Sequence, residues 1–178
     1  KSNKRIIKLS LGQLQANCYI LVHHDMCVII DPADDANFIL ERILREKLNL
    51  LIMFATHGHF DHIMAVGEIA ISGPLNKPLF MSEEDLFLVK RMNESAQYFL
   101  GYDPQAAPPL DIFEVHTPYT IVEGIKFRVL RTPGHTPGSL CYYLEDEKAL
   151  FTGDTLFHKG VGRTDFAYAD KEQLKKSL

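Results

Sequence analysis

Hydrophobic and polar residues alternate along the chain in a pattern that predicts strands interspersed with helices. In the first half, strand-length apolar runs lie at residues 6–11, 18–22, 27–30, 50–55 and 78–81. The run from Leu50 to Ala55 contains no polar residue, which is typical of a strand buried on both faces. Strands that alternate with helices indicate a layered domain of α and β structure.

Two helices are predicted in the same half. Apolar residues recur at helical spacing from Ala36 to about Lys47, and Asp34 or Asp35 can cap the first turn of this helix. The segment Glu83 to Leu100 predicts one long helix. Residues 101–118 carry four prolines and are expected to be irregular.

The second half predicts further strands and a terminal helix. Apolar and charged residues alternate from Ile125 to Arg131, the period of a strand with one buried face. Leu140 to Leu144 and Lys148 to Phe151 predict a hairpin around an acidic turn. The tail from Lys171 predicts a helix.

Composition narrows the class of protein. The 178 residues fit one domain, residues 1–178, and the 46% hydrophobic content is ordinary for a globular core. The net charge of −4 disfavours a nucleic-acid partner. No run reaches the ~20 apolar residues of a membrane helix. Cys18, Cys27 and Cys141 lie far apart among apolar residues, so we expect buried free thiols and a cytoplasmic location.

The clearest chemical motif is Thr56-His57-Gly58-His59-Phe60-Asp61-His62, directly after the apolar run that ends at Ala55. In extended chain, residues two apart point the same way, so His57, His59 and Asp61 can face one point. A helix that starts near Asp61 would turn His62 toward the same point. Imidazole and carboxylate groups suit zinc, and also iron or manganese, so the motif predicts a metal site.

In two later segments, a candidate metal ligand likewise follows directly after a predicted strand. His135 lies in the Pro- and Gly-rich loop Thr132 to Gly138, after the strand predicted to end at Arg131. Asp154 follows the strand predicted to end at Phe151. Polar residues at strand ends, where a rigid scaffold meets a loop, are typical of functional sites.

These motifs together resemble the metallo-β-lactamase superfamily, in its short hydroxyacylglutathione hydrolase-like (glyoxalase II-like) branch. The resemblance runs along nearly the whole chain. It includes residues 17–19, 30–32, 57–62, 132–138, 152–157 and 162–166. It implies a four-layer α/β/β/α sandwich with one or two Zn²⁺ ions, or iron or manganese, at one edge.

Roles for single residues also follow from the resemblance. A first metal is assigned His57, His59 and His135, and a second is assigned Asp61 and His62, with Asp154 between the two. Asp61 and Asp154 are the expected catalytic carboxylates. The resemblance further implies that Asp31 holds the ligand loop and that Arg163 contacts the substrate.

The chain departs from the family downstream of Asp154. The family has a further metal-binding histidine in a Gly-His-Gly-like motif there, which this sequence lacks, so we expect the fold without its final strand and helix. An unpaired sheet edge would favour a homodimer. His158 is not expected to replace the missing ligand, because loop geometry and not sequence proximity sets ligand direction.

The leading functional hypothesis is hydrolysis of a small thioester of the S-2-hydroxyacylglutathione kind. A second hypothesis is a mononuclear iron oxygenase of the persulfide dioxygenase type, with His57, His135 and Asp154 as the two-histidine, one-carboxylate ligand set. A third is a non-catalytic descendant that retains a metal site. Nuclease and β-lactamase activities are less favoured alternatives, because a fold does not fix a function.

Overall fold

The computed structural model of the chain describes residues 4–73, 76–116 and 118–178. The strands are β1 (Lys4–Leu11), β2 (Ala16–His23), β3 (Met26–Ile30), β4 (Asn49–Phe54), β5 (Leu79–Met81), β6 (Ile112–Glu114), β7 (Tyr119–Val122), β8 (Ile125–Arg131), β9 (Leu140–Leu144), β10 (Ala149–Phe151), β11 (Leu156–Phe157) and β12 (Gly160–Val161). The helices are α1 (Ala36–Arg45), α2 (Phe60–Ile63), α3 (Val66–Ile71), α4 (Leu86–Lys90), α5 (Met92–Leu100), α6 (Lys171–Ser177) and a 3-10 helix at Glu83–Asp85.

The strands form two main sheets. The first sheet has the order β1-β2-β3-β4-β5-β6, antiparallel from β1 to β3 and parallel from β3 to β6. The second has the order β10-β9-β8-β7 and is antiparallel throughout. Strands β11 and β12 pair only with each other. The parallel strands bring their carboxyl ends to one edge of the first sheet, where the histidine motif begins.

The two sheets pack face to face through an aromatic core. Phe54 of the first sheet lies 5.3 Å, between ring centroids, from both Phe127 and Tyr142 of the second sheet. The Tyr142 hydroxyl donates a hydrogen bond to the carbonyl oxygen of Ala55 (2.9 Å), so its buried polar atom is satisfied. This contact also ties β9 to the chain directly before the histidine motif.

Helices cover the other face of the first sheet. Ile39 and Ile43 of α1 and Val66 and Ile69 of α3 are buried there with apolar side chains of the first sheet. Asp35 is the residue that caps α1, since its side chain accepts a hydrogen bond from the backbone N–H of Phe38. The observed layers are therefore helices, the six-stranded sheet and the four-stranded sheet.

The prediction of one long helix from Glu83 to Leu100 is wrong. The segment begins with a 3-10 turn instead of an α-helix, and the α-helix that follows is interrupted at Arg91. The φ of Arg91 is −107°, and its N–H donates to the carbonyl oxygen of Leu88. The side chain of Asp85 is buried and hydrogen-bonded to two distant loops, and this fixes the direction of the first turn. Among the described residues, no helix combines the length and apolarity needed to cross a bilayer.

The expectation of irregular chain from residue 101 to 118 misses a strand. β6 lies within this segment and pairs in parallel with β5. Only three residues of each strand pair, and the two strands lie about thirty positions apart in the chain. The local sequence therefore gives little indication that β6 is a strand. The short strands β7, β11 and β12 were likewise not predicted.

Candidate metal centre

Three strand ends deliver the predicted ligands to one place. The first motif follows β4, with His59 as the residue before the first turn of α2. His135 follows β8, and Asp154 follows β10. Gly162 packs against the backbone of Asp154, where a Cβ atom would lie only 1.9 Å from the Asp154 carbonyl oxygen. A larger residue there would displace the loop that carries Asp154.

His57, His59 and His135 form the first group. The Nδ1 atom of His59 lies 3.0 Å from Nε2 of His57 and 3.0 Å from Nε2 of His135. Two nitrogen ligands of a tetrahedral zinc ion with bonds of 2.0–2.1 Å are separated by about 3.3 Å. The observed spacing is close to that separation, so the three residues fit a metal ion.

Hydrogen bonding alone does not satisfy this group. Thr56 Oγ1 donates to Asp31 Oδ2 (2.8 Å) and therefore accepts from Nδ1–H of His57 (3.0 Å). The carbonyl oxygen of Arg163 accepts from Nδ1–H of His135 (2.9 Å). A neutral imidazole carries one N–H, so Nε2 of both rings presents a lone pair to the centre. A cation fits lone pairs that converge in this way.

His57, His62 and Asp154 form a second group that could hold a metal ion. Asp154 Oδ1 lies 3.2 Å from Nε2 of His62, and Oδ2 lies 3.4 Å from Nε2 of His135. The two oxygens of one carboxylate therefore face both groups. Asp61 Oδ2 is more distant, 3.8 Å from Nε2 of His62, and belongs to neither close group.

Burial and neighbouring charges set the protonation of these residues. Burial, reinforced by the surrounding histidines, lowers the pKa of His57 well below its usual value and that of His59 to about 3. Burial also disfavours charge on His62, but the carboxylates of Asp31 and Asp154 outweigh it and raise its pKa. Burial likewise favours neutral Asp154, yet His62 holds the pKa of that carboxyl below its ordinary value. His57, His59 and Asp154 are therefore held in the forms that bind metals, a neutral imidazole or an ionised carboxylate, whereas His62 must release its proton to bind one.

Two buried carboxylates hold the ligand loops. Asp31 accepts hydrogen bonds from the N–H of Thr56 (2.7 Å) and from Nδ1 of His62 (3.0 Å), so it orients the motif as the resemblance implies. Asp85 accepts from the N–H groups of Gly58 (2.9 Å) and Gly138 (2.7 Å). Sequence reasoning missed Asp85, because these contacts join positions 27 and 53 residues away.

His59, His135 and Asp154 open onto a cleft of about 250 Å³. The cleft is lined by Leu14, Gly58, His59, Phe60, Asp61, Leu88, Ser95, Phe99, His135, Asp154, Arg163, Phe166 and Tyr168. Arg163 lies on the wall of this cleft. Its guanidinium pairs with both oxygens of Asp165 (2.9 and 2.7 Å) and lies over the ring of Phe166. Tyr168 was not anticipated from the sequence.

Comparisons with known proteins agree with this architecture. A sequence profile of the Metallo-beta-lactamase superfamily matches residues 11–178. Hydroxyacylglutathione hydrolase GloC of Haemophilus influenzae is 35% identical over 166 residues, which cover 92% of this chain and 77% of the relative.

Solved structures extend the agreement to the fold. The crystal structure of BLEG-1 B3 metallo-beta-lactamase has a TM-score of 0.87 at 31% identity, and that of TTHA1623 in a di-iron-bound form has 0.85 at 32%. Each comparison covers 97% of this chain and 83% of the other. The predicted metallo-β-lactamase fold is therefore confirmed, and the chain belongs to the metallo-β-lactamase superfamily.

Proposed function

We propose that this protein is a metal-dependent hydrolase that cleaves a small thioester of the S-2-hydroxyacylglutathione kind. The observation that carries the proposal is the position of Asp154, whose two oxygens face His135 and His62 separately beside the cleft. Similarity to a relative named hydroxyacylglutathione hydrolase supports the thioester.

Most of the residues that would hold metal ions belong to the two close groups, and the family resemblance adds Asp61, which lies beside His62. His57, His59 and His135 would hold one ion, and Asp61 and His62 would hold a second. Asp154 would contact both. Zinc suits these nitrogen and oxygen donors, and iron or manganese does also. A bound ion of this kind makes water nucleophilic at neutral pH and polarises a substrate carbonyl.

The chain's own carboxylates orient the reaction. Asp61 lines the cleft next to His62, so its carboxylate can accept a hydrogen bond from the attacking water and direct it toward the carbonyl carbon. A thiolate leaves without prior protonation, because its conjugate acid is far stronger than an alcohol. The cleft therefore needs no acid aimed at the departing sulfur.

The cleft walls position the rest of the substrate. Phe60, Leu88 and Phe99 provide apolar surface that displaces water from the reacting groups. Arg163 adds a cation at the same wall, where it can bind a carboxylate through two hydrogen bonds. A thioester with an anionic, peptide-like thiol portion matches this combination.

An iron oxygenase of the persulfide dioxygenase type is the second candidate. His57, His135 and Asp154 would hold its iron, since two histidines and one carboxylate are the ligand types that such oxygenases use. The observation in its favour is that a similar protein, TTHA1623, binds iron; that structure is in a di-iron-bound form, whereas this candidate would use a single iron ion. Oxygen consumption separates this candidate from a hydrolase, since hydrolysis of a thioester consumes none.

Metal content and thioester hydrolysis measured on the same sample test the proposal. We expect chelation to abolish hydrolysis and re-addition of zinc, iron or manganese to restore it. His135→Ala should lose both metal and activity. His158→Ala removes an exposed histidine outside the cleft and should retain both. Full activity of the chelated protein, or persulfide-dependent oxygen uptake without thioester hydrolysis, would contradict the hydrolase proposal.

A further inference from the structure

Every clustered imidazole has a hydrogen-bond partner on the nitrogen that faces away from the centre. For His57, His62 and His135, these partners are the Thr56 hydroxyl, the Asp31 carboxylate and the Arg163 carbonyl. For His59, the partner is the Tyr168 hydroxyl, 2.7 Å from Nε2. Thr56 and Asp31 do not line the cleft, and Arg163 contributes only its backbone carbonyl, so Tyr168 is the residue of the cleft wall whose side chain holds one of these imidazoles.

The ring of Tyr168 is fixed by its neighbours. It stacks on Phe166 with the ring planes 12° apart and the centroids 5.3 Å apart. Phe87 meets it edge-on at 5.3 Å. Two aromatic contacts restrict both torsions of the side chain, so the hydroxyl is held at one position before any ligand arrives.

The loop that carries Tyr168 is itself tied to the His135 loop at both ends. At its start, the carbonyl oxygen of Arg163 accepts from His135 Nδ1 (2.9 Å). At its end, the N–H of Asp170 donates to the carbonyl oxygen of Gly134 (2.8 Å). The Tyr168 hydroxyl and the ligand His135 are therefore placed by one connected piece of structure.

The contact to Tyr168 has a consequence for the proton on His59. A neutral imidazole has a single N–H. When the Tyr168 oxygen accepts a hydrogen bond from Nε2–H, the lone pair of His59 lies on Nδ1, toward Nε2 of His57 and of His135. The other tautomer would place a hydrogen on Nδ1 in the middle of the group and would block ligation.

We propose that Tyr168 is a positioning residue for the metal ligand His59: it holds the orientation of the ring and supplies the acceptor that stabilises the ligating Nε2–H tautomer. The inference rests on the proposed metal-binding role of His57, His59 and His135. Outer partners of ligating histidines commonly change metal affinity by about 10–100-fold when they are removed. Tyr168 would have this effect from the cleft wall, where substrate also binds.

Tyr168→Phe tests the inference, because it deletes one oxygen and retains the ring that packs on Phe166. Tyr98→Phe is the matched control, since it removes the hydroxyl of an 82% exposed tyrosine on α5 that does not line the cleft. Zinc affinity is measured by competition with a chromophoric chelator. Long-range ¹H–¹⁵N spectra of the metal-free proteins report the His59 tautomer directly.

We expect Tyr168→Phe to weaken zinc binding at least about tenfold and to populate the Nδ1–H tautomer of His59, with an unchanged melting temperature of the metal-free protein. Tyr98→Phe should behave as the wild type. The inference is overturned if Tyr168→Phe binds zinc within about twofold of the wild type, or if the His59 tautomer is unchanged. If the wild type itself binds no zinc, iron or manganese, the proposed metal site fails, and that result is distinct from a failure of the Tyr168 inference alone.

Discussion

At the scale of single residues, the carboxylate of Asp85 connects the two loops that carry the clustered histidines. Its Oδ2 accepts from the Gly58 N–H and from the Thr136 hydroxyl, and its Oδ1 accepts from the Gly138 N–H. Gly58 lies between His57 and His59, and Thr136 follows His135. One buried side chain thus sets the separation of these loops, although burial raises its pKa and makes its charge costly.

Asp85→Asn should destabilise the protein. The amide has only one oxygen, so its NH₂ group must face a backbone N–H that has lost its acceptor. A buried donor left unsatisfied costs about 1–3 kcal/mol. Urea unfolding should show this loss in the free energy of unfolding. Asp111→Asn makes the same chemical change at an exposed position and should stay within about 0.5 kcal/mol of the wild type. An equal effect of both substitutions would contradict the role of Asp85.

Arg163→Ala should raise KM for a carboxylate-bearing thioester by about five- to tenfold, and much less for a neutral thioester. The reason is that the guanidinium on the cleft wall can grip a carboxylate. Its present partner, Asp165, is exposed, so substrate can replace that contact at small cost. Asp165→Asn is the complementary variant: it frees the guanidinium and should lower KM for the anionic substrate. Equal KM changes for anionic and neutral substrates would show that Arg163 does not bind the carboxylate of the substrate.

At the level of strands and helices, the local pattern of apolar and polar residues predicted most of the elements. It did not predict the contacts between elements that are distant in the sequence. Alternation predicted β8, and Asp35 was one of two capping residues expected for α1. The histidine motif was visible because its members lie within six positions. Tyr168 gave no such signal, because its bond to His59 spans 109 positions and depends on how two loops meet in space. The 3-10 turn at Asp85 gave no local signal for the same reason, since distant loops set its direction.

Helix α6 supports the loop that carries His135. It packs on the His135 loop, where the Ser177 hydroxyl donates to the Pro133 carbonyl (2.8 Å) and Leu174 is buried. The backbone of Leu174 approaches Gly134 so closely that a Cβ atom there would lie 2.3 Å from the Leu174 nitrogen. Gly134 also has a φ of +141°, which residues with a side chain rarely adopt.

Gly134→Ala should therefore separate α6 from the His135 loop. We expect a loss of stability of more than about 1 kcal/mol, together with weaker zinc binding, because the position of His135 changes. Thermal unfolding of the metal-free protein and chelator competition measure the two effects. Gly160→Ala is the control, since nothing lies within 4 Å of a Cβ at that position. Unchanged zinc affinity in Gly134→Ala would show that the helix does not support the ligand.

At the scale of the whole molecule, the metal centre lies where the two sheets meet, so its geometry depends on their packing. Phe54, from the strand before the histidine motif, packs against Phe127 and Tyr142 of the second sheet. The N–H of Leu140, at the start of β9, donates to the carbonyl of Thr56 (2.7 Å). His57 and His135 therefore keep their separation only while the sheets stay together. We expect the two sheets and their helices to unfold as one cooperative unit.

The cysteines report on this cooperativity, because they are distributed over both sheets. Cys18 and Cys27 lie on β2 and β3 of the first sheet, and Cys141 lies on β9 of the second. All three are free and buried. Burial raises the pKa of Cys27 to about 12 and also raises the pKa values of Cys18 and Cys141. The native thiols should thus be almost inert toward a disulfide reagent at about pH 8, since only a thiolate reacts.

Thiol labelling across a urea series should show one transition shared by all three cysteines. Each buried thiol reacts only after an unfolding event exposes it. In a single cooperative unit, the only such event is global unfolding. Mass spectrometry of the labelled peptides assigns the midpoint for each position, and circular dichroism of the same samples provides the global midpoint. The prediction fails if Cys141 labels at a lower urea concentration than Cys18 and Cys27, because the second sheet would then open without the first. Coincident midpoints would show that the two sheets, and with them the loops of the metal centre, belong to one folding unit.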